Sequence, residues 1–210
     1  MGISMQHWNG SQMCVVDVET TGLEAGWHEI FQIAVLPLDS NLFPREDVQP
    51  FYVNMKPDHP ERWEKAARTV TSTDITEIMR TGFDPLVARD LFIDWVDKLG
   101  LPCTPSGARK YIIPLGHNYL GFDQGFVKSW LGFEEYNNIF HGHARDTMTF
   151  SLLINDGMAY HAEKVPYAKV SLGALCSRLD LKNRKAHDAL QDCIATAECY
   201  RRMLKRFNAI

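Results

Sequence analysis

Met13–Leu23 reads MCVVDVETTGL, and how this stretch runs decides where the rest of the chain goes. The β-branched run from Met13 to Glu19 predicts a strand. Residues two apart in a strand share a face, so Asp17 and Glu19 project together while Val16 and Val18 project to the other side. Two carboxylates about 4 Å apart repel by roughly 4 kcal/mol at an effective dielectric of 20, and a half-buried strand end adds desolvation. A cation between them reverses the sign, and a solvated strand end relieves it; the pair alone leaves both readings open. Thr20, Thr21 and Gly22 follow at once, a turn of small residues that lets a ligand reach the backbone and whose free amides can bind an anion or a hydroxyl. Leu23 then stands as an apolar knob at the rim of such a site, or as an ordinary core leucine.

Downstream of this strand, Ile30–Leu38 (IFQIAVLPL) and Val48–Met55 (VQPFYVNM) read as two more, the last with an edge or an irregular start at Pro50. Short loops between the three imply an antiparallel meander. Asp84 followed by Pro85 marks a helix start, and apolar residues recur at helical spacing from Leu86 to Leu99 before Gly100. Tyr111–Leu115 predicts a fourth strand, Gln124–Leu131 a helix, His141–Arg145 a short strand and Thr147–Ile154 a helix. Ser171–Leu179 reads as a serine-capped helix. From Ala189 onward, Leu190, Cys193, Ile194, Ala197 and Leu204 mark the apolar face of a long terminal helix. A strand meander followed by alternating helices and strands implies an α/β or α+β sheet covered by helices.

Bulk properties limit the alternatives. At 210 residues, residues 13–207 suit a single domain, with residues 1–12 an N-terminal extension. Apolar residues at 45% and charged ones at 23% argue against disorder and fibrous classes. No run reaches the ~18 to 20 apolar residues of a membrane span, and the first ten residues lack the basic and apolar regions of a secretion signal, so a cytoplasmic protein with no membrane role is expected. The cysteines, Cys14, Cys103, Cys176, Cys193 and Cys199, form no CxxC pair and read as reduced, structural thiols. A formal charge of −4 excludes a chain that coats nucleic acid through a global basic surface. It leaves room for a nucleic-acid enzyme whose carboxylates serve metal ions.

Two further stretches carry chemistry. Gly116–Phe126 (GHNYLGFDQGF) follows the fourth strand and offers His117, Asn118 and Phe122 ahead of Asp123, which stands where a helix cap would. Lys182–Cys193 (KNRKAHDALQDC) carries His187 and Asp192. At about 100° per residue these two lie roughly 140° out of phase on a helix, so both reach one site only if His187 precedes the first turn. Asp188 could compete as the acid, although a first-turn acid is explained by the helix dipole.

In this order and spacing the residues resemble the DEDDh group of 3′–5′ exonucleases, the superfamily of DNA-polymerase proofreading subunits, ribonuclease T and oligoribonuclease. The first motif is Asp17-Val-Glu19-Thr-Thr-Gly-Leu23, the second His117-Asn118 through Phe122-Asp123 and Phe126, and the third His187-Asp188-Ala189-Leu190-Gln191-Asp192. With SLGALCSRL and Arg145-Asp146-Thr147, the resemblance runs over about residues 13 to 205. One departure stands out: Tyr119, Leu120 and Gly121 occupy a gap where family members commonly have two residues. Gly121 is expected to absorb the extra residue as a bulge or kink and leave Asp123 in place.

The resemblance implies an RNase H-like mixed sheet, three antiparallel strands plus parallel ones, flanked by helices. It implies two divalent cations, Mg²⁺ or Mn²⁺, held by Asp17, Glu19, Asp123 and Asp192, with His187 taking the proton of the attacking water. The Thr20 backbone with Thr21 and Gly22 would receive a 3′ hydroxyl, and Leu23 and Phe122 would press on the last bases. His117 and Asn118 would also contact substrate. Arg178, Lys182, Arg184 and Lys185 would meet the phosphate backbone. The implied activity is a metal-dependent 3′–5′ exonuclease releasing nucleoside 5′-monophosphates, on single-stranded DNA first. RNA trimming and a catalytically silent nucleic-acid or polymerase-binding module are the alternatives. The partner is a nucleic acid with a free 3′ end, and a polymerase or repair partner is expected in trans.

Overall fold

A computed structural model describes residues 11–70, 74–101, 111–181 and 187–207. Most of the anticipated N-terminal extension, Cys103 with its loop, and the basic positions Lys182, Arg184 and Lys185 lie outside the described residues.

Strand β1 (Gln12–Thr20) lies at the centre of a five-stranded sheet ordered β3-β2-β1-β4-β5. The predicted meander is present: β2 (Ile30–Pro37) pairs antiparallel with β1, and β3 (Phe51–Asn54) pairs antiparallel with β2. Strands β4 (Ile112–Gly116) and β5 (Arg145–Asp146) add on the other side in parallel. Strand β2 is buried along its whole length, which its near-continuous apolar sequence requires because helices cover both faces of the sheet.

The alternation at the motif strand separates two cores. Val16 and Val18 enter one with Ile33, Val35 and Phe126. Its outer wall is α3 (Pro85–Lys98) and α4 (Asp123–Leu131), where Phe92 sits among Phe51, Trp95, Trp130 and Phe140. Met13 and Val15 enter the other, against Ala189, Cys193, Ala197 and Tyr200 of α8 (Ala189–Phe207). Small residues on that helix face let it lie close on the sheet. Ile194, read from the sequence as part of this face, is 41% exposed and points away from it. Two more helices, α6 (Thr147–Tyr160) and α7 (Leu172–Arg178), close a third apolar cluster against α8.

Differences from the sequence expectations have local causes. Strand β3 spans Phe51–Asn54 and not Val48–Met55, because Pro50 has no N–H to give a ladder. His141 to His143 is not strand; β5 is the pair Arg145–Asp146, and α6 runs on to Tyr160. Ser171 precedes α7 without a side-chain capping bond. Helices α1 (Lys65–Val70), α2 (Ile75–Thr81) and α5 (Phe133–Ile139) were not foreseen. They are one to two turns long, too short to show a period, and α2 buries only Ile78.

Candidate active site

Three separate parts of the chain meet at the C-terminal end of β1. Asp17 and Glu19 share the face turned toward α8, as their spacing requires. Asp123 is the first residue of α4 and is 4% exposed; its carboxylate does not cap that helix. Instead Oδ1 accepts the Val18 amide N–H at 3.1 Å, a contact across 105 residues that brings the carboxylate close enough to repel both strand acids. Asp192 enters from the first turn of α8, 8% exposed. His187 stands two residues before that helix in the left-handed region, φ 65°, which removes the phase conflict with Asp192. Its amide N–H donates to Asp192 Oδ2 at 3.1 Å. Ligand atoms of Glu19, His187 and Asp192 lie within 4.8 Å of one another.

Like charges packed this way resist ionising. Burial, and then repulsion from Asp123, Asp192, Glu19 and Asp188, hold the Asp17 carboxyl well above the carboxylate range. Burial first and Asp192 next push Glu19 up to about 8. Burial pushes Asp123 up to about 7, against the opposing pull of the Val18 N–H. A divalent cation reverses each of these penalties, and an all-oxygen carboxylate set suits a hard ion. The donor set therefore fits the metal ions that the motifs imply.

Beside the acids, Glu19, Thr20, Gly22, Leu23, Ala67 and Phe122 line a cleft of about 290 Å³. Leu23 is 78% exposed, a knob at the rim and not a core residue. Thr21, grouped with Thr20 and Gly22 from the sequence, shapes the turn and does not line this cleft. It is fully buried, its N–H donates to the Glu29 carbonyl at 2.9 Å, and its Oγ1 accepts the Glu29 N–H at 3.0 Å. The α1 wall, Ala66 and Ala67, carried no sequence signal.

Gly22 is required by close approach: a Cβ there would fall 2.4 Å from the His28 ring. That ring is buried, accepts the Glu24 N–H at Nδ1 and faces Glu64 at 3.4 Å. Gly22→Ala is therefore expected to cost about 1–3 kcal/mol through overpacking, read by urea unfolding, and to weaken substrate binding by shifting the cleft wall.

The second motif forms a turn ahead of α4. Asn118 takes φ 64°, the Gly121 and Phe122 amides donate to its carbonyl, and a Cβ on Gly121 would meet Asn118 Oδ1 at 2.5 Å. Gly121 thus lies in a turn beyond the end of β4 and not in a strand bulge. Tyr119 is buried, and its N–H donates to Asp146 Oδ2 at 2.7 Å. The remaining Asp146 oxygen accepts the Met148 and Thr149 amides and caps α6. His117 lies 2.9 Å from the Thr147 hydroxyl, which itself donates to the Gly116 carbonyl at 3.2 Å. Nδ1 must then carry the proton, leaving Nε2 as an acceptor. Burial moves this imidazole below its ordinary value, which favours the uncharged ring, against the opposing pull of Asp146 and Asp192. Arg178, the member of the expected basic patch that lies among the described residues, donates its Nε–H to the Pro166 carbonyl at 2.9 Å.

No protein-family model matches the chain. It is similar to DNA polymerase III PolC-type from Listeria monocytogenes, with 27% identity over 90% of this chain and 13% of the polymerase. It is similar to Ribonuclease T from Shewanella frigidimarina, with 26% identity over 93% of this chain and 83% of that protein. Among solved structures it is similar to E. coli Exonuclease I in complex with a dA16 oligonucleotide, at a TM-score of 0.71 and 18% identity, covering 95% of this chain and 42% of that one. No helix among the described residues is long and apolar enough to cross a membrane. A mixed sheet with β1 at its centre and helices on both faces is the fold that the chain shares with the Exonuclease I structure.

Proposed function

We propose that the chain is a metal-dependent 3′–5′ exonuclease that hydrolyses phosphodiesters and releases nucleoside 5′-monophosphates, with single-stranded DNA as the leading substrate. The observation that carries this reading is the convergence of Asp17, Glu19, Asp123 and Asp192, drawn from β1, α4 and α8, with His187 at their edge. Such a group of buried and half-buried acids is costly without a cation, and it borders a cleft lined by Glu19, Thr20 and Gly22 together with Leu23 and Phe122.

In this reading the four carboxylates hold two divalent cations, Mg²⁺ or Mn²⁺. When bound, such ions neutralise phosphate charge and lower the pKa of water. His187 takes the proton of the attacking water and passes it to solvent, which its exposed position permits. Thr20 and Gly22 orient the terminal sugar, while Leu23 and Phe122 hold the last bases by apolar and aromatic contact that tolerates any sequence. His117, fixed by Thr147 through Nδ1, offers Nε2 as an acceptor beside the acids, and Asn118 sets the turn that carries it. Arg184 and Lys185 supply charge for the backbone phosphates. The similarity to Ribonuclease T, which spans most of that protein, favours RNA ends as the second reading.

Incubation with 5′-labelled single-stranded DNA, duplex DNA and RNA, in Mg²⁺, Mn²⁺ or chelator, tests the proposal. A ladder shortening from the 3′ end, abolished by chelator, is the expected result; internal cuts or metal-independent cleavage refute it.

The metal-free protein should also show an inverted pH response. In the fold, Asp123 and Glu19 keep their protons up to about pH 7 and 8, whereas unfolded carboxyls lose theirs near pH 4. The folded state therefore binds more protons between those limits, and its stability falls as pH rises from about 4 through 8. Saturating Mg²⁺ or Mn²⁺ opposes this: a concentration of 100 Kd adds about 2.7 kcal/mol, roughly 5–10 °C in Tm for a chain of this size. Thermal melts at pH 6 and pH 8.5, with and without metal, check both halves.

A further inference from the structure

Gln32 is the only polar side chain in β2 and is fully buried. A buried amide left without partners costs about 1–3 kcal/mol, so its bonds are informative. Its oxygen accepts the N–H of Ala189 at 2.8 Å. A backbone N–H can only donate, so the atom facing it is Oε1, and the NH₂ group faces the other way. There it donates to Asn54 Oδ1 at 2.8 Å and to Tyr52 Oη at 3.1 Å. The Tyr52 hydroxyl in turn donates to Asp188 Oδ2 at 3.0 Å, and Asp188 Oδ1 accepts the Gln191 N–H at 3.1 Å. The two residues that follow His187 are thus bolted to the sheet, one by its backbone and one by its carboxylate.

The bolt bears on His187. That residue lies outside the helix with φ 65°, a conformation that costs of order 1–3 kcal/mol and persists only where its surroundings impose it. The Ala189 N–H is one of the donors that a helix start leaves without an intrahelical acceptor, and here the sheet satisfies it. Farther along, α8 is held by apolar packing of Cys193, Ala197 and Tyr200, which does not depend on Gln32.

We propose that Gln32 and Tyr52 are positioning residues that set the place of the His187 imidazole by fixing the turn at 187–189, without touching substrate. This rests on the reading of His187 as the proton acceptor. The direction of the hydrogen bonds demands an amide at position 32: a carboxylate would accept from Ala189 but have no proton for Asn54 or Tyr52.

The test is a double-mutant cycle with an activity-independent readout. Q32L and Y52F are expected to lower kcat about 10-fold or more, as small misplacements of a reacting group do, with KM and divalent-cation affinity nearly unchanged. In the H187A background the same substitutions should change the residual rate less than twofold. Amide hydrogen exchange at residues 189–191 should quicken in Q32L while that at 196–203 does not. An equal fall in kcat with and without His187, or exchange at 189–191 no faster than in the parent, overturns the inference. Because Tyr52 is 39% exposed, Y52F carries the same test should Q32L fail to fold. If H187A alone leaves kcat intact, the proton-acceptor reading fails, whereas the exchange result still decides whether the bolt exists.

Discussion

Asp17→Asn is expected to remove nearly all turnover while making the metal-free protein more stable at pH 8 to 9. Asp17 is the carboxyl on which the most repulsion falls: burial, Asp123, Asp192, Glu19 and Asp188 all raise its pKa. Asn keeps the side chain's size and removes the charge that would hold a cation. Losing about 4 kcal/mol of charge stabilisation, at about 1.4 kcal/mol per tenfold in rate, lowers kcat by roughly 10³. In the metal-free fold this carboxyl resists the ionisation that it undergoes freely when unfolded, a cost that an amide does not carry, so Tm at pH 8.5 should rise and the rise should shrink toward pH 5. Single-turnover assays and melts of one preparation read both effects. Retained turnover, or a Tm that falls at high pH, would mean that Asp17 is an ordinary solvated acid.

His187→Ala should divide function differently. Losing a general base costs about 10² to 10⁴ in rate, while the carboxylates proposed to hold the ions are untouched. Calorimetric titration with Mn²⁺ should therefore give nearly the parent affinity, and binding of a 3′-ended oligonucleotide in Ca²⁺ should be unchanged. The prediction is a sharp one, because ligand atoms of His187, Glu19 and Asp192 lie within 4.8 Å of one another, a spacing that would also let the imidazole serve as a ligand. An equal loss of metal affinity and rate would assign His187 to coordination and not to proton transfer.

Much of this arrangement was legible in the chain. The i, i+2 acids of β1, the Asp84-Pro85 helix start and the apolar face of α8 each follow from local pattern, and the structure has all three, with Ile194 turned out of that face. The phase argument at Asp192 required His187 to precede the helix, and it does so by two residues. What escaped reading depends on partners distant in sequence. Asp123 joins the acidic set through its motif, but taken alone it looks like a helix cap, and nothing local shows that the Val18 N–H holds it. Thr21 looks like part of the ligand turn until Glu29 is seen to use both its N–H and its hydroxyl. Gln32 did leave a trace, a single amide in an otherwise apolar strand, but nothing local says that it reaches residue 189. Helices α1 and α2 supply a cleft wall and a small core from segments too short and too polar to show a period.

The central claim is that acids from β1, α4 and α8 are gathered to hold divalent ions. Crystals grown with Mn²⁺ and a nucleoside 5′-monophosphate, measured above the manganese absorption edge, test it directly. The account predicts two anomalous peaks bonded to carboxylate oxygens of Asp17, Glu19, Asp123 and Asp192, with the nucleotide phosphate against them. Density free of anomalous signal at these four side chains, or manganese bound only elsewhere on the surface, would contradict it.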